Sequence, residues 1–369
     1  MGRRLNCVRD ARLDAIRGLL LIGMSIDHFP SILKSYVEDG LGFVTAAEGF
    51  IFLSGYVAGF CYLRTLAQKG EWAVVGRAAN RARSIYVFHI CAFLIVFGAM
   101  ARMHASLPWA AGAGWDQTAF DQPFKTLFLA ATLRCQPMYF DILPMYLVFF
   151  LLVPAVIFCL RRKGWWLVLL ASATVWLLTQ LAVTDALKNQ FLGGMFGWFN
   201  ILGWQVLFIF GMVFGYYRSD CNLWSRFGKK SFFLAAALAA VLFVFRHKLL
   251  PHSDVFHSEF LIGKPRLGPV RVLNFAVLAV VFSRPQIWPS HALWTRMLSL
   301  LGRNSLPVFS FHIVLMYLVR CFVVPHVTAT QTNMAFLAVA TVVLLYLPAS
   351  LAEVLNYLNV QGEVSTPSS

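Results

Sequence analysis

Residues 14–55 read DAIRGLLLIGMSIDHFPSILKSYVEDGLGFVTAAEGFIFLSG. It contains two strongly apolar runs. Ionisable residues lie well inside both of them, Asp27 and His28 in the first run and Glu48 in the second. An ionisable side chain at membrane depth is costly, so it usually faces the interior of a helix bundle or a wet cavity. We therefore expect two membrane-spanning helices around which a larger bundle is built.

The composition is that of an integral membrane protein. Of the 369 residues, 59% are hydrophobic and only 13% are charged, whereas soluble domains contain about 25% charged residues. The formal net charge is +15, but Lys and Arg lie in short gaps between the apolar runs. This placement indicates a topology signal rather than a nucleic-acid-binding surface.

Apolar runs long enough to cross a bilayer, about 20 residues each, predict ten spans. These are residues 14–35, 44–63, 84–103, 138–160, 164–183, 197–217, 231–246, 270–283, 303–324 and 333–354. Most of the 31 Lys and Arg residues fall on one side when the N-terminus is placed inside, which predicts cytoplasmic N- and C-termini. The predicted fold class is thus all-α: a polytopic transmembrane bundle of about ten helices, with a single domain over 1–358 and a flexible tail over 359–369.

The first predicted span places two functional groups on one face. Arg17 and His28 are eleven residues apart, close to three turns, so a helix would hold them in line about 16 Å apart. Pro30 would loosen the helix just after His28. Glu48 begins the next span from the outer side, where it can meet His28, and an imidazole held by a carboxylate is a general base. The alternative is a buried polar cluster that only pins helices together.

The second span also carries a small-residue spacing. Gly55 and Gly59 form a GxxxG pattern, which we interpret as a site of close helix packing. The histidines of the outer loop, such as His252 and His257, have a loose spacing without a helical metal-binding pattern. We interpret that loop as solvated rather than metal-binding.

The segment RLDAIRGLLLIGMSIDHFP (residues 12–30) resembles the first helix of membrane acyltransferases, in which an arginine precedes a catalytic histidine by eleven positions. The fuller resemblance is to the OpgC-like proteins, the succinyltransferases of osmoregulated periplasmic glucans. It is carried by TAAEGFIFLSGYVAGF (45–60), RARSIYVFHI (81–90), QPMYFDILPMYLVFFLLVPA (136–155) and LGRNSLPVFSFHIVL (301–315).

The resemblance implies an O-acyltransferase of the bacterial inner membrane, whose single domain moves an acyl group from cytoplasmic acyl-CoA to a periplasmic glucan. Succinyl-CoA is the expected co-substrate, and no tightly bound cofactor or metal is expected. His28 would be the catalytic base, with Glu48 or Asp27 orienting it, and Glu48→Ala is expected to abolish transfer without unfolding the protein. The bilayer and the glucan are the expected partners, nucleic acid is not, and a homo-oligomer is left open.

Other polar residues near the span ends are candidates for substrate binding. The acyl-CoA candidates are Arg17, Arg81, Arg83, Tyr86, His89, Arg303, Asn304, Ser305 and His312. Arginine suits phosphate because it forms two parallel hydrogen bonds, although an ordinary anchor at the cytoplasmic face is the alternative. Asp141 and Tyr139 are candidates for acceptor binding, and Asp141 is also a candidate partner for His28 or a purely structural tie.

Two other classes of function fit the same buried groups. A transporter would use Asp27, His28 and Glu48 as a proton or substrate site, but transporters more typically show half-helix repeats, which this sequence lacks. A membrane scaffold would need no chemistry at all. Acyl-CoA binding separates the enzyme from both alternatives.

Overall fold

A computed structural model describes residues 10–29, 31–103, 115, 117–181, 198–218, 228–249, 258–283, 292–328 and 330–365. Over these residues the chain forms helices and no strands, as the sequence predicts. They divide into two compact units. Residues from Asp39 to Ser283 form the first unit, and the residues before Asp39 and after 291 form the second.

The described helices, numbered in chain order, are α1 (Ala11–Asp27), α2 (Ile32–Val37), α3 (Ala46–Lys69), α4 (Glu71–Met103), α5 (Gln117–Asp121), α6 (Pro123–Ala131), α7 (Ile142–Arg161), α8 (Trp165–Gln180), α9 (Ile201–Tyr216), α10 (Lys229–Arg246), α11 (Glu259–Ile262), α12 (Pro269–Phe282), α13 (Leu293–Arg303), α14 (Ser305–Phe322), α15 (Gln331–Leu344) and α16 (Tyr346–Ser365). A 3-10 turn, Val324–His326, follows α14. Within the described residues, five stretches are long and apolar enough to cross a membrane: Ala46–Lys69, Glu71–Arg102, Ile142–Arg161, Ser305–His326 and Gln331–Leu358. Helices α8, α9 and α12 are also apolar but shorter. The protein is therefore a helical membrane protein, while the ten spans, the cytoplasmic termini and the single domain stay predictions.

The first and third predicted spans differ from the observed helices. The first span, predicted over 14–35, is interrupted, because α1 ends at Asp27, His28 caps it, and α2 is a separate short helix. A proline disfavours helical geometry in the residue before it and lacks an N–H group, so the proline at position 30 in the sequence explains the break; Pro30 itself lies outside the described residues.

The third span, predicted over 84–103, is only the C-terminal part of α4. This helix has 33 residues, about 50 Å at 1.5 Å per residue. Its first part, EWAVVGRAANRAR, is rich in alanine and arginine, which are strong helix formers, but it is too polar to be recognised by hydropathy. Arg81 and Arg83 consequently lie inside a helix rather than at its entrance.

In the first unit, α3 and α9 pack with their backbones in close contact. A Cβ atom added to Gly55 would lie 2.0 Å from the carbonyl oxygen of Phe208, and one added to Gly215 would lie 1.9 Å from that of Tyr56. Gly59 is equally restricted, at 2.1 Å from the carbonyl oxygen of Met212. The GxxxG spacing therefore marks a packing surface, as the sequence indicates.

We expect Gly215→Val to destabilise the first unit by about 1–3 kcal/mol, because the added side chain must push α3 away from α9. Gly76→Ala in α4 is the matched control. A Cβ atom at Gly76 has nothing within 4 Å, and alanine favours helix over glycine by about 1 kcal/mol. Thermal unfolding of the purified protein in lipid nanodiscs measures both. Equal unfolding temperatures for the two variants would contradict the close packing of α3 and α9.

In the second unit, α1 lies closely against α13. A Cβ atom on Gly302 would lie 1.8 Å from the carbonyl oxygen of Asp14, and one on Gly18 would lie 2.0 Å from that of Leu298. These two contacts run in opposite directions along the two helices, so α13 is antiparallel to α1. The chain turns at Asn304 and continues as α14, which returns alongside α1 and carries the partners of its functional side chains.

Candidate functional site

The imidazole of His28 is hydrogen-bonded to a second histidine. Its Nδ1 lies 2.7 Å from Nε2 of His312, and the two rings stack with their centroids 5.0 Å apart. Nδ1 of His312 lies 3.2 Å from Oγ of Ser25. His312 and Ser25 are buried, whereas His28 is half-buried. We call this hydrogen-bonded series the Ser25–His312–His28 triplet.

Local structure explains why α1 presents both ends of the triplet. Ser25 and His28 are three residues apart, so they lie on the same side of the last turn of α1. The helix ends at Asp27, and Arg320 of α14 donates a hydrogen bond from Nη2 to the carbonyl oxygen of His28. A cation favours a helix C-terminus. Arg320 therefore fixes the backbone at His28, a role that sequence reasoning missed.

The N-terminal ends of α1 and α14 also meet. Arg17 donates from Nη2 to Oγ of Ser305 at 2.6 Å. Because Arg17 pairs with the start of α14 and His28 pairs with a residue two turns further on, α1 and α14 run parallel. The structure thus joins two acyl-CoA candidates, Arg17 and Ser305, at one end of this helix pair, and joins His28 to His312 at the other.

The other two candidates at the start of α14 share a carboxylate. Asn304 donates from Nδ2 to Oε1 of Glu353 at 3.0 Å, and Nε of Arg303 lies 3.6 Å from the same oxygen. Glu353 belongs to α16 and was missed by sequence reasoning, because no local pattern links it to residues about fifty positions earlier. Its carboxylate holds Asn304 and offsets the charge of Arg303.

In the first unit, Glu48 is fully buried and both of its oxygens are engaged. Oε2 accepts the backbone N–H and the hydroxyl of Thr45 at 2.9 and 2.7 Å, which caps α3. Oε1 accepts from Nε and Nη2 of Arg271 at 2.9 and 2.8 Å. Nη2 of Arg271 also lies 3.5 Å from Oδ1 of Asp39. These contacts are enough to explain why the carboxylate is buried, whether or not it has a catalytic role. The partnership of Glu48 with His28 therefore stays a prediction.

The candidates on α4 point in different directions. Arg83 is exposed, whereas the guanidinium of Arg81 lies 5.6 Å from the ring centroid of Phe150. Tyr86 donates its hydroxyl to the carbonyl oxygen of Ala131 at 2.9 Å. His89 is buried, and among the described residues neither of its ring nitrogens has a hydrogen-bond partner. Arg83 is therefore a better candidate than Arg81 for an anchor at the membrane interface.

The acceptor candidates lie at the start of α7. Asp141 is buried and accepts the backbone N–H of Phe199 at 3.2 Å, which ties α7 to the residues before α9. Tyr139 has a positive φ of 73°, a strained conformation for a residue with a side chain. Asp27, the last of the predicted site residues, is half-buried at the end of α1.

The described part of the chain contains no group of three or more His, Cys, Asp and Glu side chains that could hold a metal ion. His252 and His257, interpreted from the sequence as part of a solvated loop, lie outside the described residues.

Comparison with known proteins identifies the family. The family model described as OpgC protein matches residues 9–356. No curated protein and no solved structure matches the chain. Because the family model covers nearly the whole sequence, including α1, α14 and every candidate site residue, the chain belongs to the OpgC family.

Proposed function

We propose that the protein is an inner-membrane O-acyltransferase that moves a succinyl or related acyl group from cytoplasmic acyl-CoA to a hydroxyl of a periplasmic glucan. OpgC membership and the apolar helices fit a membrane acyltransferase. The observation that carries the proposal is the 2.7 Å bond between His28 and His312, because it orients the imidazole of His28 as a general base requires.

His28 would act in a single transfer step. It takes the proton of the acceptor hydroxyl as the hydroxyl oxygen attacks the thioester carbonyl carbon. The carbon–sulfur bond then breaks, an ester is left on the glucan, and the thiolate of CoA takes the proton back from the imidazolium. No enzyme nucleophile is required, because binding both substrates together supplies proximity and orientation.

The negative oxygen that forms during the attack needs a hydrogen-bond donor or a cation. Arg320 is our candidate for this role. Its guanidinium bonds to the carbonyl oxygen of His28, which keeps a positive charge beside the proposed base.

The donor would lie along the α1–α14 pair. Arg17 and Ser305 meet at its N-terminal end, where the guanidinium of Arg17 would supply a cationic, hydrogen-bonding group for the phosphates of CoA. Arg303 and Asn304, which share the carboxylate of Glu353, stay candidates for the same site. His28 lies eleven residues further along α1, about 16 Å at 1.5 Å per residue. Arg81, Arg83, Tyr86 and His89 of the first unit stay candidates for acyl-CoA binding, and Asp141 and Tyr139 stay candidates for acceptor binding.

Two measurements test the proposal. Mass spectrometry of periplasmic glucans from cells with and without the gene shows whether an acyl group depends on this protein and identifies that group. Purified protein in nanodiscs, given succinyl-CoA and glucan, should release CoA. Unchanged glucans together with no CoA release would reject the proposal, and proton-coupled uptake by proteoliposomes would instead support a transporter.

We expect Arg17→Ala to raise the KM for acyl-CoA by about 10–100-fold and to change kcat much less, because a hydrogen bond to a charged group contributes about 1.5–3 kcal/mol. Arg17→Lys should recover part of the affinity. The matched control is Arg296→Ala, since Arg296 is exposed on α13. Steady-state CoA release measures all three. A large fall in kcat with an unchanged KM for Arg17→Ala would contradict phosphate binding at this end of α1.

A further inference from the structure

The Ser25–His312–His28 triplet restricts where the protons of both imidazoles reside. A neutral imidazole has one N–H donor and one acceptor nitrogen. His312 uses both of its nitrogens, Nε2 towards Nδ1 of His28 and Nδ1 towards Oγ of Ser25. It must therefore donate through one nitrogen and accept through the other, so the two hydrogen bonds run in the same direction along the triplet.

Only one of the two directions makes His28 a base at its other nitrogen. If the hydroxyl of Ser25 donates to Nδ1 of His312, then Nε2–H of His312 donates to Nδ1 of His28, and the proton of His28 is on its Nε2. If the order is reversed, Nδ1–H of His28 donates to His312, and Nδ1–H of His312 donates to Ser25. The lone pair of His28 is then on Nε2, where a hydroxyl proton can be accepted. A serine hydroxyl can donate or accept, so Ser25 permits this second order.

We propose that His312 is the positioning residue that holds His28 in the Nδ1–H tautomer, with Ser25 as the acceptor at the end of the series; this inference rests on the proposed function. When His28 takes the hydroxyl proton, its Nδ1–H bond to His312 becomes charge-assisted and therefore stronger. His312 thus stabilises the imidazolium more than the neutral base, which is the difference that lowers an activation barrier.

A neutral partner suits a base in a membrane bundle better than the carboxylates that the sequence suggested. A carboxylate beside His28 would favour the imidazolium even before substrate binds, and an imidazolium cannot accept a proton. His312 fixes the ring of His28 without adding a negative charge. Glu48, one of those carboxylates, has a cationic partner of its own in Arg271.

The test compares two amide substitutions. His312→Gln places its terminal amide near the position of Nε2 and can still bond to His28, whereas the shorter side chain of His312→Asn reaches only the Nδ1 position. We expect His312→Asn to lower kcat by about 100-fold, within the range attributed to general-base catalysis, and His312→Gln to recover at least ten-fold of that loss. The KM for acyl-CoA should stay unchanged in both, as in the control His326→Gln on the exposed turn after α14.

An equal loss of kcat in the His312→Gln and His312→Asn variants would overturn the inference. A raised KM for acyl-CoA with a normal kcat would overturn it too, because that result would place His312 in the acyl-CoA site. A second measurement does not depend on turnover. In nitrogen-15 NMR spectra of histidine-labelled protein, the signal lost in His28→Ala should report the Nδ1–H tautomer in the wild type and should change in His312→Asn. The Nε2–H tautomer would reject the inference even if the protein is active. An inactive wild type with the Nδ1–H tautomer would reject only the proposed function.

Discussion

The variant His28→Ala should lose acyl transfer by about 10²–10⁴-fold, the usual contribution of a general acid–base residue, while acyl-CoA still binds. The substitution removes the imidazole but keeps the backbone carbonyl that accepts the hydrogen bond from Arg320. The cap of α1 and the helix pair α1–α14 should therefore persist. CoA release gives the rate, and titration with acyl-CoA gives the affinity.

The matched control for this prediction is His326→Ala, since His326 is exposed in the turn that follows α14. It should transfer acyl groups at the wild-type rate. Wild-type transfer in His28→Ala would reject the base mechanism. Loss of acyl-CoA binding with an unchanged rate at saturation would assign His28 to the donor site instead of to the reaction.

The pairing of His28 with His312 shows which contacts a local sequence pattern can predict and which it cannot. The eleven-residue spacing predicts one helix face for Arg17 and His28, and the structure places Arg17 within α1 and His28 at the C-cap of that helix. The partner of His28 is 284 positions away, so no local pattern contains it. A usable signal was nonetheless present. His312 follows the basic start of its span by about 13 Å and His28 follows Arg17 by about 16 Å, which indicates similar depths if both helices start on the same side.

The sequence predicts a carboxylate partner for His28, because a histidine–carboxylate pair is a common arrangement for a general base. The structure shows that Glu48 meets Arg271, which is 223 positions away. A buried carboxylate needs an opposite charge, and the sequence offered several arginines without indicating which one the fold brings close. The prediction of helix ends is limited by another effect, because hydropathy detects the length of an apolar run but misses a polar helical extension such as the first part of α4.

We expect Glu48→Ala to destabilise the protein by about 3–5 kcal/mol, the cost of leaving a buried charge without its partner. This differs from the effect on transfer alone that the sequence suggested. The carboxylate is fully buried, caps α3 through Thr45 and neutralises Arg271. The control is Glu71→Ala, which removes an exposed ion pair with Arg161 and should cost about 0–1 kcal/mol. Thermal unfolding in nanodiscs, with CoA release measured well below the transition, separates stability from activity.

A double variant tests whether the pair itself carries the effect. Glu48→Gln with Arg271→Met removes both charges together, and the amide can still accept from Thr45. Because Asp39 keeps its 2.7 Å contact with Arg246, the loss of Arg271 does not leave that carboxylate without a cation. The double variant should thus be more stable than the sum of the single effects predicts, by about 0.5–3 kcal/mol. If Glu48→Ala instead unfolds at the same temperature as Glu71→Ala and still loses transfer, Glu48 acts in the reaction, as the sequence predicts.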